Sequence, residues 1–149
     1  MPSASGDAVV AVGAEVAWAF VRRYEGWADL LPGYQRHREC SPRVSLWTVR
    51  GDVGMFSRVV EAEVEVVEET PGVRFAIRGV SENFGGEGTF AVAPIERCRA
   101  RLVLTLQLHA GGPMAPLIDA LLKPRLAGML QTFAPALARR IEAEAGAPR

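Results

Sequence analysis

Arg58 stands among Phe56, Val60, Ala62, Val64 and Val66, alternate positions that the strand period puts on one side of the chain. A guanidinium on that side must meet a carboxylate, an oxygen of a bound molecule or water at a cavity mouth, because an unpaired buried charge is costly. The chemistry it offers is recognition rather than proton transfer, since arginine holds its proton at any ordinary pH. Glu61, Glu63 and Glu65 alternate on the opposite side and read as a solvated surface rather than an acid and base pair. His37 and His109 are the only imidazoles, and His109 falls on the outward parity of the last strand. His37-x-x-Cys40 supplies at most two ligands where a metal needs three or four, so both histidines read as solvent-facing or capping, and no metal site is expected. With no Gly-x-Ser-x-Gly elbow, phosphate-cradling loop or dinucleotide fingerprint, no catalytic residue is assigned and no cofactor is expected.

Aromatic side chains are the other material for a site. Trp18, Trp27, Tyr34, Trp47, Phe75, Phe84 and Phe90 could wall an apolar pocket, although each one serves equally well as core. Trp27 and Tyr34 stand out because they flank the Pro32-Gly33 loop.

The elements that must position these residues follow from periodicity. Ala8–Val12 reads as a first strand, ended by Gly13, and Glu15 opens a helix with Val16, Phe20 and Tyr24 on one face. A second short turn, Trp27–Leu31, closes at Pro32-Gly33. Six further strands are expected: Tyr34–Cys40, Ser45–Val53, Phe56–Glu68, Val73–Val80, Phe84–Ala93 and Arg101–His109. Gly54 and Pro71-Gly72 supply tight turns, and Gly85-Gly86 with Gly88 suggests a bulge or a strong bend. Parity turns Val73, Phe75, Ile77, Leu102, Leu104, Leu106 and Leu108 inward. From Met114 a long helix carries Ile118, Leu122, Leu126, Met129, Phe133, Leu137 and Ile141 on one side, with a kink or restart expected near Pro124. Its first part, Met114–Leu122, is apolar nearly all round, which implies contact with a ligand, a partner or a membrane as well as the sheet.

Composition bounds the rest. The 149 residues fit one domain, 1–149, with 1–7 and 144–149 as flexible ends. Seventeen basic residues balance seventeen acidic ones and no basic tract occurs, which argues against nucleic acid as a partner. Two cysteines outside any C-x-x-C pair are too few for a disulfide framework, so a reducing cytoplasm is the expected location. Neither a signal peptide nor a long apolar span is recognised.

The order strand, two short helices, six strands and a long helix resembles the START-like or helix-grip fold of the SRPBCC superfamily. Within it the chain is most similar to the CoxG family of carbon monoxide dehydrogenase subunits, through Leu30-Leu31-Pro32-Gly33 after the Val16 and Trp18 helix, the strand pair around Val53-Gly54, and Gly85-Gly86-Glu87-Gly88 leading to Gly111-Gly112. The likeness spans about residues 8–143. It implies an α+β fold in which a curved, antiparallel, seven-stranded sheet wraps the C-terminal helix. It also implies a carrier for a hydrophobic molecule such as a quinone, lipid or polyketide, with a molybdenum hydroxylase as enzyme partner and peripheral contact at the inner membrane face. A polyketide cyclase or dehydratase is the alternative, and homodimerisation stays open. The expected ligand-lining residues are Trp27, Leu31, Tyr34, Trp47, Phe56, Arg58, Phe75, Ile77, Phe84, Phe90, Leu106, Ile118, Leu122, Met129 and Phe133.

Overall fold

The structure, a computed structural model, describes residues 3–53, 56–68, 73–80, 84–113 and 115–146, leaving out the side chains of 51–53, 56–58, 68, 118, 121, 122 and 146. Seven strands form one antiparallel sheet: β1 (Ser3–Val10), β2 (Tyr34–Glu39), β3 (Val44–Val53), β4 (Phe56–Glu68), β5 (Val73–Gly79), β6 (Phe84–Glu96) and β7 (Arg99–Ala110). Their order across the sheet is β1-β7-β6-β5-β4-β3-β2, so consecutive strands from β2 to β7 are neighbours and β1 closes against β7. Helix α1 (Ala14–Val21) and two 3₁₀ turns, Tyr24–Gly26 and Ala28–Leu30, link β1 to β2, and α2 (Ala115–Gly146) follows β7. This is the helix-grip architecture.

Alternation set the faces as parity requires. Ala62, Val66, Val73, Phe75, Phe90, Leu102 and Leu104 are buried on the inner face, whereas Glu61, Glu65, Arg78 and Arg101 are exposed on the outer one. The inner face meets Leu126, Leu130, Phe133, Leu137 and Ile141 of α2 in one core. Helix and sheet approach so closely at Gly6 of β1 that a Cβ there would lie 2.7 Å from the Leu130 carbonyl oxygen. Only a residue without a side chain lets the helix backbone seat there.

Several expectations need correction. The first strand begins at Ser3 rather than Ala8, pairing Ser3–Asp7 with β7, so those residues are not a loose end, and α2 runs on to Gly146. On α1 the buried residues are Ala17 and Val21, with Val16 49% exposed, because the face turned to the core is centred one residue further round the helix than expected. In α2, Leu130 takes the core position and Met129 is half-buried. The helix continues through both Pro124 and Pro135 without a restart. The carbonyls these prolines leave without an intrahelical donor belong to Ala120 and Gln131, both exposed, where water can serve them. The Gly85–Gly88 segment keeps its register with both neighbours, and the irregularity in β6 falls between Pro94 and Glu96. Gly54, Pro71-Gly72 and Met114 lie outside the described residues.

Candidate functional site

Five of the expected lining residues come together as a packed aromatic cluster. Trp27 is its hub, with ring centroids 4.7 Å from Phe90, 5.8 Å from Phe133, and 6.0 Å from both Trp47 and Phe75. All five rings are buried, and the Trp27 indole N–H donates to the Val21 carbonyl at 3.0 Å. This end of the grip is filled, and Leu31 packs at its edge.

The inner face changes character toward its other end. Cross-strand register aligns Leu106, Gly88, Phe75 and Val66 in one row, and Leu108, Gly86, Ile77, Val64 and Ser45 in the next. Leu106, Leu108, Ile77, Val64 and Phe84 are only half-buried, although they are apolar and on the inner side. Met129 of α2 is half-buried as well. Gly86 and Gly88 stand opposite Leu108 and Leu106 in these adjacent rows. Register sets Arg58 opposite Gly51 and Phe56 opposite Val53, but the side chains of Phe56, Arg58, Ile118 and Leu122 are outside the described set.

At the β2 edge of the same face the expected Tyr34 and Trp47 are joined by His37, Tyr24 and Ser45, which the sequence reading did not place in the site. The Tyr34 hydroxyl and His37 Nδ1 are 2.6 Å apart. The His37 ring stacks on Trp47 at 5.4 Å and meets the edge of Tyr24 at 5.1 Å. The Trp47 indole N–H donates to the buried Ser45 hydroxyl at 2.7 Å. Burial pushes the Tyr24 phenol above its usual range, with the hydrogen bond to Ser45 working the other way. His37 is therefore half-buried and bonded rather than solvent-facing. A β-bulge explains the omission: the register shifts between Tyr34 and Arg36, which brings residues three apart onto one face, where a regular strand would set them on opposite faces. A bulge has no sequence signature here, since Gln35 is an unremarkable residue.

Two hollows open on the surface, the first of them sharing His37 with this group. One, of about 260 Å³, is lined by Arg36, His37, Arg38, Leu46, Thr48 and Glu61 on β2, β3 and β4. The other is an open groove of about 860 Å³ between α1 and the end of α2, lined by Val16, Phe20, Arg22, Arg23, Ile141 and Glu144 among others. No described helix is long and apolar enough to cross a membrane.

Comparison with known proteins places this geometry. A protein of Thermus thermophilus superposes with a TM-score of 0.73 at 18% identity, covering 97% of this chain and 100% of that one. A START superfamily protein from Mycobacterium smegmatis gives 0.68 at 19% identity over 95% and 98%. The Zhui aromatase/cyclase from Streptomyces sp. R1128 gives 0.56 at 16% identity over 96% and 92%. At such identities the likeness shows the fold, and no curated protein matches the sequence. The family model that does match covers residues 1–142, nearly the whole chain, so this protein belongs to the family described as polyketide cyclase / dehydrase and lipid transport.

Proposed function

We propose that the protein binds a hydrophobic small molecule of the quinone, lipid or polyketide kind over the half-buried part of its inner face. The observation that carries this reading is the contrast along one surface: Leu104, Phe75 and Phe90 are buried, while Ile77, Leu106, Leu108 and Val64, equally apolar and equally inward, are not. Apolar area left half in water costs about 25 cal/mol per Å², and a lipophilic guest recovers it. Family membership supports the same reading, since lipid transport and cyclisation both require an apolar substrate to be held. Native mass spectrometry of the purified protein tests it. A retained adduct that organic extraction removes is the expected result. Absence of any adduct, together with no uptake of N-phenyl-1-naphthylamine into extracted protein, counts against the proposal.

The narrower likeness to CoxG extends this reading to docking on a molybdenum hydroxylase at a membrane face. Its support is Leu117, 54% exposed in the apolar first part of α2. Co-sedimentation with anionic lipid vesicles that Leu117→Ser weakens is the outcome this extension expects.

A further inference from the structure

We propose that Tyr34 and His37 form one hydrogen-bonding anchor for a carbonyl oxygen on an otherwise apolar ligand. The inference rests on the inner face being the ligand-holding surface, and it assigns that ligand a chemistry. Cross-strand register aligns His37 with Trp47 and Ala62, and Tyr34 with Val49 and Val60, so both residues end rows of that face. From β2 to Ile77 on β5 is three strand spacings, about 14 Å, the length of a body of two or three fused rings.

Counting protons shows what the pair can donate. Tyr34 and a neutral His37 bring one proton each, and their mutual bond at 2.6 Å uses one. If the tyrosine donates to Nδ1, the spare proton sits on Nε2; if Nδ1 donates to the hydroxyl oxygen, the spare proton is the tyrosine's own. Either tautomer therefore offers a single donor, and Nε2 has no hydrogen-bond partner among the described residues. The indole N–H of Trp47 adds none, because Ser45 already accepts it. That spare donor calls for an acceptor, and on an otherwise apolar ligand a ketone or quinone carbonyl supplies one. The anchor is also held in place: Trp47 stacks under the imidazole and Tyr24 meets its edge, so little side-chain freedom remains to be lost on binding.

Two fluorescent naphthalenes separate the anchor from the surface it serves. One is 6-propionyl-2-(dimethylamino)naphthalene, whose ketone emission shifts to the red when its carbonyl accepts a hydrogen bond. The other is N-phenyl-1-naphthylamine, which has no oxygen. Extracted wild-type protein is expected to bind both. Tyr34→Phe and His37→Phe, which keep the rings, are expected to weaken the ketone roughly three- to tenfold, the range of one net hydrogen bond, and to shift its bound emission to the blue. Affinity for the naphthylamine stays within about twofold. If both variants bind the ketone with wild-type affinity and emission while the naphthylamine is held, the anchor is overturned and the apolar surface survives. Equal loss of both probes from a variant with an intact circular dichroism spectrum makes the pair merely structural and also overturns it. Should the wild-type protein take up neither probe, the surface reading fails first and the anchor with it.

Discussion

Gly86 and Gly88 sit two residues apart on the same face of β6, yet the space around them differs sharply. A Cβ on Gly86 would come 1.9 Å from the Gln107 carbonyl oxygen and 2.9 Å from a Leu108 methyl, and backbone cannot step aside as a flexible side chain can. At Gly88 the nearest atom is the Thr105 carbonyl oxygen at 3.5 Å, ordinary van der Waals contact. Gly86→Ala is thus expected to cost about 2 to 3 kcal/mol or more through forced displacement of β7. Gly88→Ala is expected to be neutral or to gain about 0.5 kcal/mol from a less free unfolded chain. Urea unfolding of the two variants checks this, and similar losses from both would refute it. The sequence shows that glycines cluster here and suggests a bend. It does not show which one is indispensable, because that depends on a carbonyl of the next strand, β7, and on how closely the two backbones approach. The same limit hid His37, since the bulge that turns it onto the inner face beside Tyr34 arises from pairing with β3 and not from local residue types.

Among the elements, the 3₁₀ turns are fastened to the far end of α2 by one group. Arg140 donates to both carboxylate oxygens of Asp29, at 3.1 and 3.0 Å, and to the Gly26 carbonyl at 3.0 Å. The hydrogen bond from Arg140, aided by its charge, holds the Asp29 carboxyl below its usual range. A depressed folded-state value means that this stabilisation is fully present above the unfolded carboxylate's pKa, about 3.9, and is lost as pH falls through the lower folded value. Asp29 and Arg140 side chains are 57% and 31% exposed, so solvent screening limits the contribution to about 1 kcal/mol or less. Asp29→Asn is accordingly expected to lower thermal stability by a constant amount from about pH 5 upward, the gap closing in stronger acid and shrinking with salt. A gap that persisted unchanged at about pH 2 would show that the loss comes from packing instead. The strands were legible from periodicity, β4 over its full extent from Phe56 to Glu68, whereas β1 starts five residues earlier than expected and β6 and β7 run on to Glu96 and back to Arg99. The helix faces were less so: choosing Leu130 over Met129 for the core needs the crossing position, which Gly6 of β1 sets from the other end of the chain.

At the scale of the whole molecule, the grip has two ends that differ in how far they exclude water, and one pair of residues measures the difference. Leu104 and Leu106 are neighbours on the inner side of β7, identical in chemistry and in parity. Leu104 is 1% exposed and packs under α2 with Phe90 opposite it, whereas Leu106 faces Gly88 and is half-buried. A side chain enlarged in a close-packed interior forces neighbours off their rotamers at about 1 to 3 kcal/mol, but where there is unfilled space it simply occupies it. Leu104→Trp is therefore expected to destabilise the protein by that amount. Leu106→Trp should leave the unfolding free energy within about 0.5 kcal/mol of wild type and reduce N-phenyl-1-naphthylamine binding roughly tenfold or more, because the indole takes the place of the guest. If Leu106→Trp instead destabilises as Leu104→Trp does and leaves probe binding unchanged, the half-buried rows are packed like the rest of the core and the guest is held elsewhere. The sequence alone could not separate these two leucines, since parity treats every inward position alike. The boundary between buried and half-buried interior follows where Trp27, Trp47, Phe75, Phe90 and Phe133 meet, each carried by a different segment of the chain.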